Sequence, residues 1–208
     1  LLLLGITGTI GSGKSAVGRV LEELGVPVID TDKVVHDLLG SDASTQEAVC
    51  RRFGRQLLSD IAGNGTLQID RKALGRLVFQ DSKARRDLET IVHPRVRAVC
   101  ASLTEAYRSE QKHLVLATLV PLLFESGSAC LYHEVWTVVT DESLLRERLA
   151  QRDGLTPDLI TQRLKAQFSQ EKKAALAKRV IYNSGTLRDT ADQVRTFLAE
   201  LIQRDPGV

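Results

Sequence analysis

Apolar runs along the chain alternate with stretches of helical spacing. Leu1-Leu2-Leu3-Leu4-Gly5-Ile6 is a short apolar run with turn chemistry behind it, which predicts a buried strand. Val17 to Leu24 has helical spacing and stops at Gly25, a residue suited to ending a helix. Val26-Pro27-Val28-Ile29 predicts a second strand, and Leu114 through Val120 a third. Val135-Trp136-Thr137-Val138-Val139 predicts a fourth, and Val180-Ile181 a short fifth. Such runs lack polar alternation and are separated by helices, so they predict an α/β fold with a parallel sheet covered on both faces.

From about Lys33 to Gln111 no convincing strand is visible. The pattern is helical, interrupted by Gly63-Asn64-Gly65, and predicts a helical lobe inserted between strands two and three. After strand four, Ser143 to Arg152 reads as a helix broken at Gly154. Thr156 and Pro157 read as an N-cap with proline at N1, and the helix they open is expected to run to about Lys178. Val194, Leu198 and Leu201 predict a packing helix from Leu187 to Gln203. The chain is thus expected to be one domain. Its core would comprise about 1–32, 112–141 and 176–208, with a helical lobe over 33–111 and a lid over 142–175.

Composition narrows the function classes. The balance of 28 basic and 26 acidic residues leaves a net charge of +2, which gives no pull toward nucleic acid or an anionic membrane. Leu1 to Leu4 has no basic leader and is too short for a signal peptide, and no apolar run approaches a membrane span. Cys50, Cys100 and Cys130 are odd in number and widely spaced, so neither a disulfide framework nor a zinc site is expected, and a reducing cytoplasm is. His36, His93, His113 and His133 form no metal-binding spacing. The chain contains no methionine, not even an initiator, and is therefore not expected to be a plain translated sequence.

Against that background one motif stands out. Gly8-Thr9-Ile10-Gly11-Ser12-Gly13-Lys14-Ser15 matches Gly-x-x-x-x-Gly-Lys-Ser/Thr, with an apolar strand before it and a helix after it. A triphosphate is a dense anion. Backbone N–H groups must turn inward around it, which glycine permits, and the helix behind the loop presents its positive end. Lys14 is expected to reach the β- and γ-phosphates, and the Ser15 hydroxyl to ligate Mg²⁺. The ATP-binding set is taken as Gly8 to Ser15 with Ala16. The fold class this implies is a P-loop NTPase three-layer fold.

The acceptor side is read from Asp30-Thr31-Asp32, directly after strand two. In a parallel sheet, ligands gather at the C-terminal strand ends. If the chain is still extended there, the two carboxylates point to the same side. One then accepts the proton of an attacking hydroxyl and the other holds the metal's waters. Asp32 is taken as the base because it lies further toward the helical lobe, and Asp30 as the metal-side residue. Arg148 and Arg152 share a helix face, as do Arg163 and Gln167 on the next helix. Arginines there would neutralise the charge of a loose phosphoryl-transfer transition state.

These residues resemble the dephospho-coenzyme A kinase family over nearly the whole chain. Ile6-Thr7-Gly8 with Ile10 to Ser15 is similar to its P-loop, Val28 to Asp32 to its acidic pair, and Gly65 to Asp70-Arg71 with Leu74 to its substrate-lobe motif. His93-Pro94, Pro121-Leu122-Leu123-Phe124-Glu125, Gln151-Arg152-Asp153 and Val180 to Gly185 are similar to four further signatures. The resemblance implies a five-stranded parallel core with a helical coenzyme A lobe and a lid. It implies phosphoryl transfer from ATP, with Mg²⁺, to the ribose 3′-hydroxyl of dephospho-coenzyme A. Asp32 is then the base, Lys14 and Arg148 contact the transferring phosphate, and Arg152 and the Asn183 turn serve the nucleotide. Asp32, His93, Leu123 and Arg163 serve the acceptor. Thr9 stands where the family usually has glycine, Leu119 where many members carry aspartate, and Lys178 and Tyr182 where acidic residues are frequent. The readings set beside this one are another small-molecule P-loop kinase, a nucleotide-binding protein without turnover, and a GTPase switch. The last would rest on Asp60-Ile61-Ala62-Gly63, but no guanine motif of the Asn-Lys-x-Asp type occurs.

Overall fold

The computed structural model describes residues 1–60 and 67–204. Gly63-Asn64-Gly65 and most of Asp60-Ile61-Ala62-Gly63 lie outside the described residues. The elements run β1 (Leu2–Gly8), α1 (Lys14–Glu23), β2 (Val28–Asp30), α2 (Thr31–Ser41), α3 (Ala43–Phe53), β3 (Leu58–Ser59), β4 (Gln68–Ile69), α4 (Arg71–Gln80), α5 (Ser82–Glu110), β5 (Val115–Leu119), β6 (Glu134–Val139), α6 (Glu142–Asp153), α7 (Pro157–Lys165), α8 (Gln170–Leu176), β7 (Arg179–Tyr182) and α9 (Leu187–Arg204). The chain divides into two compact units, one of Leu1–Asp30 with Ala106–Val208, the other of Thr31–Glu105.

The first unit is built on a five-stranded sheet in the order β2-β5-β1-β6-β7. Every neighbouring pair is parallel. Each of the five apolar runs forms one of these strands, and all five positions of β5 are buried. Val17, Val20 and Leu21 of α1 and Val194, Leu198 and Leu201 of α9 join Leu4, Ile6, Ala117, Trp136 and Ile181 of the sheet in one core. Helix α1 ends where its sequence predicts: Gly25 has φ +79° and donates to the Glu22 carbonyl, while Val26 N–H donates to Leu21. At the other end of the sheet's connections, Thr156 Oγ1 accepts from Leu159 N–H at 3.4 Å and Pro157 opens α7.

The second unit has its own core of Leu39, Val49, Cys50, Phe53, Leu57, Ile69, Leu74, Ala84 and Val92. Helices α3 and α4 begin on carboxylate caps. Asp42 accepts from Thr45 N–H at 2.6 Å, and Asp70 from Lys72 and Ala73 N–H at 2.9 and 3.0 Å. Asp70 and Leu74 of the Gly65-to-Leu74 motif thus serve as helix cap and core residue.

Three expectations are corrected. The Lys33–Gln111 segment does contain strands, the antiparallel pair β3–β4, each only two residues long and so without a readable period. The helix opened by Pro157 does not reach Lys178. It stops at Lys165, and α8 restarts behind Ser169, whose Oγ accepts from Lys172 N–H at 3.2 Å. Finally, the chain is not extended through Asp30-Thr31-Asp32. Asp30 ends β2, Thr31 begins α2, and Asp32 stands in the first helical turn, so alternation along a strand does not orient this pair.

Candidate active site

Strand β1 ends at Gly8 and α1 begins at Lys14, so Thr9 to Gly13 form the connecting loop at the C-terminal edge of the sheet's central strand. Gly13 is the residue before α1 and lies in the left-handed region, with φ +98°. No side chain caps the helix N-terminus, and no acidic residue occupies its first turn. The positive end of the helix therefore favours an anionic ligand at the loop. Lys14 Nζ donates to the Gly8 carbonyl at 2.9 Å and to Thr9 at 3.2 Å, which holds the ammonium over the loop. The Thr9 and Ser12 hydroxyls are buried with no hydrogen-bond partner, further donors in a loop of this charge character.

Asn183, at the end of β7, ties this loop to the surrounding elements. Its Nδ2 donates to the Ser12 carbonyl at 2.8 Å, and its Oδ1 accepts from Thr190 Oγ1 of α9 at 2.9 Å. Its own carbonyl accepts from Thr140 Oγ1 at 3.0 Å and from Arg148 Nη2 at 3.1 Å. The Asn183 carboxamide thus holds the loop to α9. A Cβ at Gly13 would lie 1.9 Å from Asn183 Nδ2 and 3.7 Å from Arg148 Nη1, which places the Arg148 guanidinium beside the loop. Gly13→Ala should therefore expel Asn183 and strain the backbone by about 1–2 kcal/mol. Nucleotide affinity should drop at least about tenfold and the melting temperature should fall. A variant that melts and binds ATP like the parent would contradict this arrangement.

The loop also packs on α6 and α7. Ile10 joins a cluster of Leu145, Leu149 and Ile160, and a Cβ at Gly11 would come within 3.1 Å of Leu149 Cγ. On the same helices, Arg152 pairs with Asp153 at 2.8 Å, and Arg163 lies 3.7 Å from Asp153. The Arg152 guanidinium, with Arg163 adding to it, holds the Asp153 carboxyl below its ordinary value. Gln167 lies beyond the end of α7, so the expected helix face shared with Arg163 does not exist. Its side chain instead accepts from Ile10 N–H at 3.0 Å.

The remaining predicted residues divide between the units. Ser15 is exposed in the first turn of α1, with the half-buried Ala16 beside it, and Asp30 is half-buried at the end of β2. Asp32 and the exposed His93 belong to the helical unit. Leu123, expected to contact the acceptor, is wholly buried and packs over Gly5, where a Cβ would meet it at 2.8 Å, so it is a core residue. Leu119 is also core, its side chain seated on Gly18 of α1. Sequence reasoning gave no role to Thr140, Thr190, Gln170 or Lys173. Each is fixed by a partner dozens of residues away or by the fold of β7 into α9, and no local spacing announces them.

The donor set suits Mg²⁺ with a triphosphate. Ser15 and Asp30 offer hard oxygens, and Mg²⁺ typically takes one or two protein oxygens, keeping waters and phosphate oxygens for the rest. Among the described residues, no cluster of three or more His, Cys, Asp or Glu side chains is arranged around a metal position. None of their helices is long and apolar enough to cross a membrane.

Comparison with known proteins accords with this site. The dephospho-CoA kinase family model matches residues 2–189. A dephospho-CoA kinase of Symbiobacterium thermophilum is 43% identical over 192 residues, covering 92% of this chain and 78% of that protein. One from Geobacter metallireducens is 39% identical over 99% of this chain and 100% of its own length. Among solved structures, dephospho-CoA kinase from Campylobacter jejuni superposes with a TM-score of 0.70 at 28% identity, covering 98% of each chain. The Thermus thermophilus protein TT1252 superposes with a TM-score of 0.77 at 33% identity, covering 96% of this chain and 97% of that one. With a phosphate-binding loop built as above and a match spanning nearly its whole length, the chain belongs to the dephospho-CoA kinase family.

Proposed function

We propose that this kinase moves the γ-phosphoryl group of ATP to the ribose 3′-hydroxyl of dephospho-coenzyme A, completing coenzyme A synthesis. The observation that carries the chemical part is the uncapped, glycine-turned start of α1, with Lys14 folded over it and Arg148 tethered beside it through Asn183. The family membership carries the acceptor.

The loop amides and the α1 N-terminus bind and orient the phosphates. Lys14 and Arg148 stabilise charge on the transferring group. Asp32 accepts the proton of the 3′-hydroxyl and aims its oxygen in line with the phosphorus. Thr31 and Asp32 directly continue the chain from Asp30 at the C-terminal end of β2, the sheet edge where such ligands gather. Ser15 and Asp30 would hold Mg²⁺, which when bound supplies charge neutralisation at the phosphate oxygens. Arg152 and Arg163 serve the nucleotide and acceptor from α6 and α7, and His93 serves the acceptor from the helical unit. The helical unit takes the coenzyme A moiety, and α6 to α8 form the lid. The protein works in the cytoplasm on a small-molecule acceptor, with neither nucleic acid nor membrane as partner.

A coupled ADP-release assay with dephospho-coenzyme A, AMP and shikimate in separate reactions tests this. Turnover with the first alone is expected. Faster release with AMP or shikimate would assign the chain to a different small-molecule acceptor, and no release with any would leave a nucleotide binder.

A further inference from the structure

One ion pair lies deep in the first unit, outside the groups the reaction uses. Lys173 of α8 is 0% exposed. Its Nζ donates to the Pro121 carbonyl at 2.8 Å and lies 2.8 and 3.0 Å from the two carboxylate oxygens of Glu125. Burial pushes the Lys173 ammonium below its ordinary value, against the raising pull of Glu125. Such a pair is an expensive way to fill a core, since apolar side chains of similar volume are often as stabilising. What it provides here is position.

Glu125 is shared. Its Oε1 also accepts from Phe168 N–H at 2.8 Å, in the short segment between α7 and α8. Two residues on, Gln170 clamps the end of β6, accepting from Thr140 N–H and donating to the Thr140 carbonyl, both at 2.8 Å. The residue before Phe168 is Gln167, whose Oε1 accepts from Ile10 N–H of the phosphate loop at 3.0 Å. Ile10 is held from its side chain as well, by the α6–α7 cluster. The Pro121 carbonyl that Lys173 grips accepts also from Thr7 Oγ1 of β1 at 3.2 Å, two residues before the loop begins. The strand leading into the phosphate loop, at Thr7, and the loop itself, at Ile10 through Gln167, are thus tied to segments that one buried charge pair holds.

We propose that Gln167 is a positioning residue for the ATP site, and that the buried Lys173–Glu125 pair holds it there. A loop whose amides must converge on phosphate oxygens loses affinity when one of its residues is free to rotate out of register. The Ile10 amide, fixed by Gln167, sets that register from outside the cradle. Neither Gln167 nor Lys173 touches substrate in this scheme; both act through the loop backbone. This rests on the ATP site assigned above, so the test reads nucleotide affinity directly, without any acceptor.

The experiment compares Gln167→Leu, Gln167→Glu, Lys173→Met and the double variant Gln167→Leu/Lys173→Met by calorimetric titration with Mg²⁺ and a non-hydrolysable ATP analogue, by steady-state kinetics and by thermal melting. Gln167→Leu should weaken nucleotide binding and raise KM for ATP about tenfold, the worth of one well-made hydrogen bond at its upper end. KM for dephospho-coenzyme A should stay near the parent's, and the melting temperature should fall by no more than a few degrees, as loss of one hydrogen bond implies. Gln167→Glu keeps an acceptor oxygen for Ile10 and should recover part of the loss. Lys173→Met should weaken nucleotide binding similarly and lower the melting temperature. In the double variant the two affinity losses should not multiply, because they act through one contact. Unchanged nucleotide affinity in Gln167→Leu would overturn the proposal, as would fully multiplicative losses in the double variant. If the Lys173 variants fail to fold, Glu125→Gln takes their place, paired with Gln167→Leu under the same criterion. Parent protein that binds the analogue yet fails to phosphorylate dephospho-coenzyme A would count against the acceptor assignment and leave this test intact.

Discussion

Asp32→Asn should lower turnover by about 10²–10⁴-fold, the usual worth of a general base. The change keeps the shape of the side chain and removes its ability to take a proton. ATP affinity should move little, since the substitution keeps the size of the side chain and the proposed phosphate contacts come from the loop and α1. The split between turnover and nucleotide affinity is the informative part. A structural role for Asp32 in starting α2 would lower the melting temperature and leave the surviving enzyme fast. A base role leaves the fold and slows the chemistry. Pre-steady-state ADP formation with both substrates saturating separates the two. Near-normal turnover in Asp32→Asn would move the base elsewhere, with Asp30 the next candidate.

Lys14→Ala should cost about 10²–10³-fold in turnover, as removal of a single stabilising donor in an active site typically does. Alanine is the best helix former, so α1 should start as before, and the melting temperature should fall only through loss of the ammonium's bonds to the loop. Two losses combine here. The ammonium no longer bridges the Gly8 and Thr9 carbonyls, so the loop loosens. In the proposed mechanism, charge on the transferring phosphoryl group also loses one of its stabilising cations. Nucleotide affinity should therefore fall along with turnover, unlike the outcome for Asp32→Asn. Activity within about threefold of the parent, well short of that donor-sized loss, would remove Lys14 from the mechanism.

Much of the fold was legible because it is written in local chemistry. The five apolar runs became five parallel strands, and Gly25, Thr156 and Pro157 end and start helices as their types require. The phosphate loop was legible for the same reason: its glycines, lysine and serine are contiguous. Features set by distant partners were not. Asn183 holds Ser12 from 171 residues away, and Lys173 meets Glu125 across 48. The Pro121-to-Glu125 motif was visible as a resemblance, yet its spacing gave no sign that Leu123 is core and Glu125 an anchor. The break between α7 and α8 is not legible because Gln167 to Gln170 contains neither glycine nor proline. Tertiary hydrogen bonds to Ile10, Glu125 and Thr140 accompany a turn that composition does not signal. The Asp30–Asp32 geometry escapes the sequence pattern for a related reason. Strand β2 spans only three residues before α2 begins, too few for a period of two to persist.

The most direct test is a crystal structure with a non-hydrolysable ATP analogue, Mg²⁺ and dephospho-coenzyme A bound together. It should show the Gly11 to Ser15 amides around the β-phosphate and Lys14 Nζ against the β- and γ-oxygens. The Asp32 carboxylate should stand about 2.6–3.2 Å from the ribose 3′-oxygen. Phosphates bound away from the loop, or a 3′-oxygen approached by some other side chain while Asp32 faces outward, would contradict it.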